Sequence, residues 1–198
     1  MGTPTITAEV TAGAIYIVRN PLDLAISLSE FKNRSVDEMI EVLNEKGRVL
    51  ERPARGSYEL SGSWSEHVES WTHRPHARLL TLRYEDMLDE PAQAFASVVS
   101  FLKMQANEEA VGRGIEQTSF SALKAVEETL CFNERPKDTK AFFRSGQQGQ
   151  WRDVLTDRQI ARIASANERQ MRRFRYWEPE FDDLVSRVRA EDASASMP

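Results

Sequence analysis

Cysteine is nearly absent: Cys131 is the only one in 198 residues. One thiol cannot close an internal disulfide, and that scarcity fits a reducing compartment. Long apolar runs are missing too, since no stretch approaches the roughly 20 residues needed to cross a bilayer. Met1 to Val10 has neither a basic start nor a long apolar centre, so no secretory leader is expected. Acidic residues outnumber basic ones, 31 to 26. The formal net charge of −5 argues against a general nucleic-acid binder, which is usually basic. No histidine lies near a second ligand at metal spacing, so no metal site is expected. There is no internal repeat. What remains is an ordinary soluble composition, 40% hydrophobic and 29% charged. The expectation is a cytoplasmic protein of one domain over residues 1–198, with a small, polar, disordered tail at 191–198.

The first strong signal present is Ala14-Ile15-Tyr16-Ile17-Val18. A short, β-branched, continuously apolar run of this kind predicts a parallel strand covered on both faces. Asn20 can cap a following helix and Pro21 suits its first position, with Leu24, Leu28 and Phe31 at helical spacing. A buried strand feeding a helix through so tight a turn is half of a βαβ unit. Ser35 with Glu38, and Ser63 with Glu66, make capping-box patterns before two further helices. Residues 47–60, rich in Arg, Pro and Gly, read as a loop. Leu79-Leu80-Thr81-Leu82 predicts a second strand, and Pro91 opens a helix striped by Phe95, Val98, Val99 and Leu102.

Further on, residues 119–130 read as a helix with Leu123, Val126 and Leu130 inward, and 132–150 as a long loop of the sort that is often functional. Thr156 and Gln159 cap a last long helix. Two central-type strands do not make a stable sheet alone, and Thr5 to Val10 alternates as an edge strand would. Strands are therefore expected to be missing from this chain.

An arginine leaving the C-terminal end of a parallel strand, as Arg19 does, sits where α/β folds bind ligands. Ser27, two turns into the next helix, reaches the same anion if the ligand lies along that helix. The bland alternative pairs Arg19 with Asp23 and leaves Ser27 an ordinary helical serine. Taken with its neighbours, Val18-Arg19-Asn20-Pro21-Leu22-Asp23-Leu24-Ala25-Ile26-Ser27 resembles the 3′-phosphate-binding segment of cytosolic-type sulfotransferases, which use the sulfonate donor PAPS. Four more segments follow in the family's order. Gly62-Ser63-Trp64-Ser65-Glu66-His67-Val68 is similar to its Gly-Ser-Trp segment, and Arg83-Tyr84-Glu85-Asp86-Met87 to its Tyr-Glu-Asp-Met segment. Thr118-Ser119-Phe120 is similar to its adenine contact. Phe142-Phe143-Arg144-Ser145-Gly146, then Gly149-Gln150-Trp151, resembles its Arg-Lys-Gly…Gly-Asp-Trp loop.

The resemblance implies an α/β fold: a three-layer, P-loop-NTPase-like parallel sheet flanked by helices, here lacking its first strand or strands. It implies PAPS as donor and PAP as product, with sulfonate passing to a hydroxyl or amine on a small-molecule acceptor. It also implies that Arg19, Ser27, Arg144, Ser145 and Gly146 face the 3′-phosphate, for which guanidinium and hydroxyl donors are chemically apt. Tyr84, Thr118, Phe120, Phe142 and Phe143 complete the nucleotide side.

Three departures from the family are visible. No lysine-bearing phosphate loop precedes Arg19, no histidine stands among the eighteen residues before it, and Ser145 replaces a lysine. The family's dimer motif would start at Arg152, but Asp157 and Ala161 stand where it has valine and glutamate. His67 shares a helix face with Trp64, Val68 and Trp71, and His73 and His76 flank Pro75, so no catalytic residue is assigned. Beside a truncated or split enzyme stand two alternatives. One is a non-catalytic module for PAP or another adenosine phosphate; the other is an interaction protein whose sheet a partner or second copy completes. No nucleic-acid or membrane partner is expected.

Overall fold

The structure, a computed structural model, describes residues 11–52, 57–73, 78–105, 107–129 and 146–195. Strand β1 (Ala14–Val18) leads into helix α1 (Pro21–Lys32) and then α2 (Val36–Asn44). A hairpin follows, β2 (Val49–Arg52) and β3 (Ser57–Leu60), then α3 (Trp64–Thr72) and strand β4 (Leu79–Arg83). Helices α4 (Tyr84–Asp89), α5 (Pro91–Phe101), α6 (Glu108–Gln117) and α7 (Phe120–Thr129) come next. The C-terminal part holds α8 (Trp151–Val154), α9 (Asp157–Arg173) and α10 (Glu180–Ala195).

The local chemistry explains most of these boundaries. Asn20 accepts a hydrogen bond from the Leu22 amide, and Pro21 occupies the first turn of α1. Reciprocal capping boxes start α2 at Ser35, α3 at Ser63 and α9 at Thr156. β1 pairs in parallel with β4, from Ala14 opposite Leu79 to Val18 opposite Arg83. The protein is thus α/β, with a small parallel sheet and helices against it. Val18, Leu22, Ala25, Ile26, Ile40, Trp64 and Val68 join Ile163, Ala164 and Met171 of α9 and Phe181, Val185 and Val188 of α10 in one core. Where α9 crosses that core it presents apolar residues on one side and charge on the other.

Several expectations change. β1 is covered on one face only: Ile15 is 39% and Ile17 49% exposed, while Val18 is buried. The core helices lie on the Val18 side, while on the other face Leu82, opposite Ile17, looks into a space bordered by Phe95 and Val98 of α5. Among those residues the parallel sheet has two strands; the expected edge strand at Thr5 to Val10 lies outside them. Residues 47–60 are not simply a loop, since β2 and β3 pair antiparallel with Val49 opposite Leu60. Val126 is exposed rather than inward, and Glu127 is the residue of α7 that is buried. The segment from 191 does not begin a tail. α10 continues to Ala195, because its alanines favour helix and Arg158 of α9 holds Asp192 at 2.6 Å.

Glu85 fastens the sheet to the core. Its buried carboxylate accepts the Asn20 amide at 2.9 Å and the Tyr176 hydroxyl at 2.7 Å. Burial, then the adjacent Glu85 charge, pushes the Tyr176 phenol well above its ordinary pKa. Tyr176→Phe leaves that carboxylate one donor short in a buried site. The expected cost is about 1–3 kcal/mol, read as a lower midpoint in urea unfolding; an unchanged midpoint refutes the role given to the hydroxyl.

Candidate functional site

Strand register brings the first two site residues together. Because Val18 lies opposite Arg83 in a parallel pair, the next residues, Arg19 and Tyr84, emerge side by side at the C-terminal end of the sheet. The Arg19 guanidinium stacks over the Tyr84 ring, 4.5 Å from its centroid. One step further, the Asn20 amide meets Glu85. The strand-to-helix turn at Asn20–Pro21 then directs α1 so that Ser27 borders the same space.

That space is a cavity of about 840 Å³, within the range of small-molecule sites. Arg19, Ser27, Tyr84, Thr118, Phe120 and Gly146 all line it. Every sequence-predicted site residue that the structure describes therefore falls on one cavity. Phe142, Phe143, Arg144 and Ser145 lie outside the described residues. Arg19 is the only cation among the described lining residues. Its Nη2 is 3.5 Å from the Gln147 carbonyl, at the limit of a hydrogen bond, and its Nε is buried with no partner. The rest of the wall is largely apolar, with Leu82 from β4, Phe95 and Val98 from α5 and Ile115 from α6.

The ring wall is equally specific. Phe120 opens α7 two residues after Thr118, whose hydroxyl donates to the Gly114 carbonyl at 2.7 Å. Gly146 has φ +60°, and a Cβ there would stand 2.3 Å from Cδ2 of Phe120. Only glycine lets this backbone lie so near the ring. An orphaned guanidinium N–H, a nearby hydroxyl and two aromatic rings suit a phosphate with an adenine beside it. The residues present fit that part of PAP or PAPS.

Sequence reasoning missed other features. Asp23 does not pair with Arg19. It is buried, and its carboxylate accepts the amides of Gly149 at 2.6 Å and Trp151 at 3.1 Å. Phe31, one turn beyond Ser27 on α1, and Gln150 also line the cavity. Helical spacing from Ser27 could have found Phe31; nothing in the sequence marked the Asp23 contacts.

The histidines stand elsewhere. His67 is exposed and is not among the described lining residues. Its Nδ1 lies 3.0 Å from the Tyr16 hydroxyl. Burial pushes the Tyr16 phenol up to about 12, so it stays protonated beside the imidazole. Tyr16 also stacks on Trp71, with centroids 5.7 Å apart and planes 12° apart. His73 pairs with Glu69 at 2.7 Å, and His76 lies outside the described residues. Among the described residues no group of three or more His, Cys, Asp or Glu is placed to hold a metal, and no helix is long and apolar enough to cross a membrane. At the dimer-motif positions, Arg152 pairs with Glu178, Asp157 with Arg187, and Ala161 is buried.

A family profile described as a sulfotransferase domain matches residues 4–175. The amine sulfotransferase of Oryctolagus cuniculus is 28% identical over 170 residues, 82% of this chain and 56% of that protein. Sulfotransferase 1 family member D1 of Rattus norvegicus is 31% identical over 150 residues, 72% of this chain and 49% of its own length. The chain thus spans about half the length of the curated relatives it matches. A crystal structure of mouse sulfotransferase SULT7A1 with PAP superposes with TM-score 0.61 at 24% identity, covering 88% of this chain and 62% of that one. Retinol dehydratase, solved with androsterone and inactive cofactor PAP, gives TM-score 0.60 at 24% identity, with 80% and 47% covered. At that identity the superpositions show a common fold.

The raised Tyr16 phenol predicts an alkaline effect. The unfolded chain releases this proton near pH 10, the folded chain near 12, so the folded state holds more protons between those values. Stability should fall as pH rises through that window. Tyr16→Phe should flatten the fall in urea titrations; an identical slope in the variant assigns the effect to other groups.

Proposed function

We propose, since this chain belongs to the sulfotransferase domain family, that its cavity holds the 3′-phosphoadenosine half of PAPS and of the product PAP. The activity served is sulfonate transfer to a hydroxyl or amine on a small-molecule acceptor, in the cytoplasm. The observation that carries this reading is the buried, unpartnered Nε of Arg19 in a cavity that also presents Ser27, Tyr84 and Phe120.

In this scheme Arg19 and Ser27 donate to the 3′-phosphate, joined by Arg144, Ser145 and Gly146 on the strength of the family resemblance. Tyr84, Thr118 and Phe120 bound the adenine, and Phe142 and Phe143 belong to the cofactor-binding loop by the same resemblance. PAPS supplies the activated sulfonate, with the phosphate of PAP as leaving group. What the chain's own residues contribute is binding and orientation: they fix the nucleotide so that its reactive end is presented in one direction. Glu85 supports this at one remove by holding the Asn20 amide beside Arg19.

A second reading, a PAP-binding module without turnover, is favoured by one feature. The described lining residues include a single cation and no histidine, whereas sulfonate transfer calls for several donors around the moving charge. A completing partner or second copy belongs to this scheme as well, since β1 leaves Ile15 and Ile17 about half exposed.

Calorimetric titration with PAP tests the common core of both readings. Arg19→Ala should weaken binding at least about tenfold, the scale of a charge-assisted hydrogen bond. Arg19→Lys should recover only part, because an ammonium lacks the planar fork. Equal affinities for wild type and Arg19→Ala sink the assignment. A PAPS assay then separates the readings: turnover supports the enzyme, and binding without turnover the module.

A further inference from the structure

Asp23 stands in the first turn of α1, four residues past Arg19, and is only 2% exposed. Both of its carboxylate oxygens go to one segment, Oδ2 to the Gly149 amide at 2.6 Å and Oδ1 to the Trp151 amide at 3.1 Å. A carboxylate is costly to bury unless its oxygens are satisfied, and two main-chain N–H groups together with the helix N-terminus satisfy it. The segment held this way, residues 146–150, crosses from α1 to the ring wall. Gly146 lies against Phe120 there, and Gln150 also faces the cavity.

That segment is tied at other points by side chains, Gln148 donating to Asp89 at 2.6 Å and Arg19 reaching the Gln147 carbonyl at 3.5 Å, but among its described contacts the bonds to Asp23 hold its main-chain amides to α1. Gly146 and Gly149 both have positive φ, +60° and +78°, and glycine restricts the backbone least of all residues. Trp151, buried and packed edge-on against Phe181 at 5.6 Å, anchors one end in the core. Between that anchor and Phe120, the Gly149 bond to Asp23 sets the direction in which the chain leaves the core.

We propose that Asp23 is a positioning residue: its buried carboxylate latches the 146–150 segment to α1 and so places Gly146 on Phe120, setting the width of the cavity and its affinity for ligand. The latch rests on the nucleotide reading for its ligand but not for its geometry. It couples the Arg19 and Ser27 side of the cavity to the Phe120 side.

The test combines backbone hydrogen exchange with PAP titration on the full chain. Asp23→Asn keeps the volume and one carbonyl acceptor but loses the second acceptor and the charge. Exchange at the Gly149 and Trp151 amides should quicken about tenfold or more while Ile163 in the core holds its rate, and PAP affinity should fall about tenfold. A purely structural role would instead quicken Ile163 along with the loop. Unchanged exchange at Gly149 overturns the latch, as does faster exchange with unchanged PAP affinity. If Asp23→Asn does not fold, wild type decides: saturating PAP should slow exchange at Gly149 and Trp151, and no slowing in a chain that binds PAP overturns the proposal. A wild type that fails to bind PAP refutes the nucleotide reading, and the exchange comparison then judges the latch alone.

Discussion

A buried carboxylate holds the working end of this protein together. Glu85 sits just past β4, takes the Asn20 amide just past β1, and takes the hydroxyl of Tyr176 from beyond α9. Three chain segments, far apart in sequence, meet on two oxygens. The Tyr176 hydroxyl also lies 3.2 Å from the Val18 carbonyl, and its ring packs edge-on to Trp64. The carboxylate is tolerable there only because its oxygens are satisfied, so the three segments are interdependent. Arg19 and Tyr84 are neighbours because 18 faces 83 on one side and 20 meets 85 on the other.

The cavity that results has one firm side and one soft side. Its α1 wall belongs to the main core, with Leu22, Ala25 and Ile26 buried beneath Ser27. Opposite it, α5 and α6 bury no residue, and α7 buries only Glu127. Elements with few buried apolar contacts lie at the low end of local stability. A ligand gripping Arg19 while resting on Phe120 therefore bridges a rigid half and a yielding half, and ordering the second half subtracts from its affinity.

How much of this was legible in the sequence follows from the range of each interaction. Caps at Asn20, Ser35, Ser63 and Thr156 read correctly because a cap is a contact over two or three residues. Both parallel strands read correctly from their apolar runs, and ordered segments placed Arg19, Ser27, Tyr84, Thr118, Phe120 and Gly146 on one cavity. The hairpin at 49–60 was hidden because its strands are four residues each and its exposed face carries Val49, Tyr58 and Leu60, a pattern that composition reads as Arg- and Gly-rich loop. The role of Asp23 was hidden for a different reason. Its partners lie 126 and 128 residues away and are main-chain amides, which leave no mark in the identity of any side chain. The bland alternative, a pair with Arg19, does not form, and the Arg19 side chain turns toward Tyr84.

Charge sharpens what the cavity can do. One guanidinium with a buried, unsatisfied N–H is well matched to one phosphate, because the cost of burying that donor is already present and a ligand oxygen removes it. Holding a second anionic group, and the charge that develops as a sulfonate leaves, needs further donors aimed at a different point. Several arginines pair elsewhere, Arg152 with Glu178, Arg172 with Glu168 and Asp182, and Arg83 through Nη1 with Asp86, though its buried Nε has no partner. The His67 imidazole is tied to Tyr16. On the proposed reading, recognition and turnover therefore place separable demands on this chain, and the first falls to Arg19, on a frame that Glu85 and Asp23 hold in place.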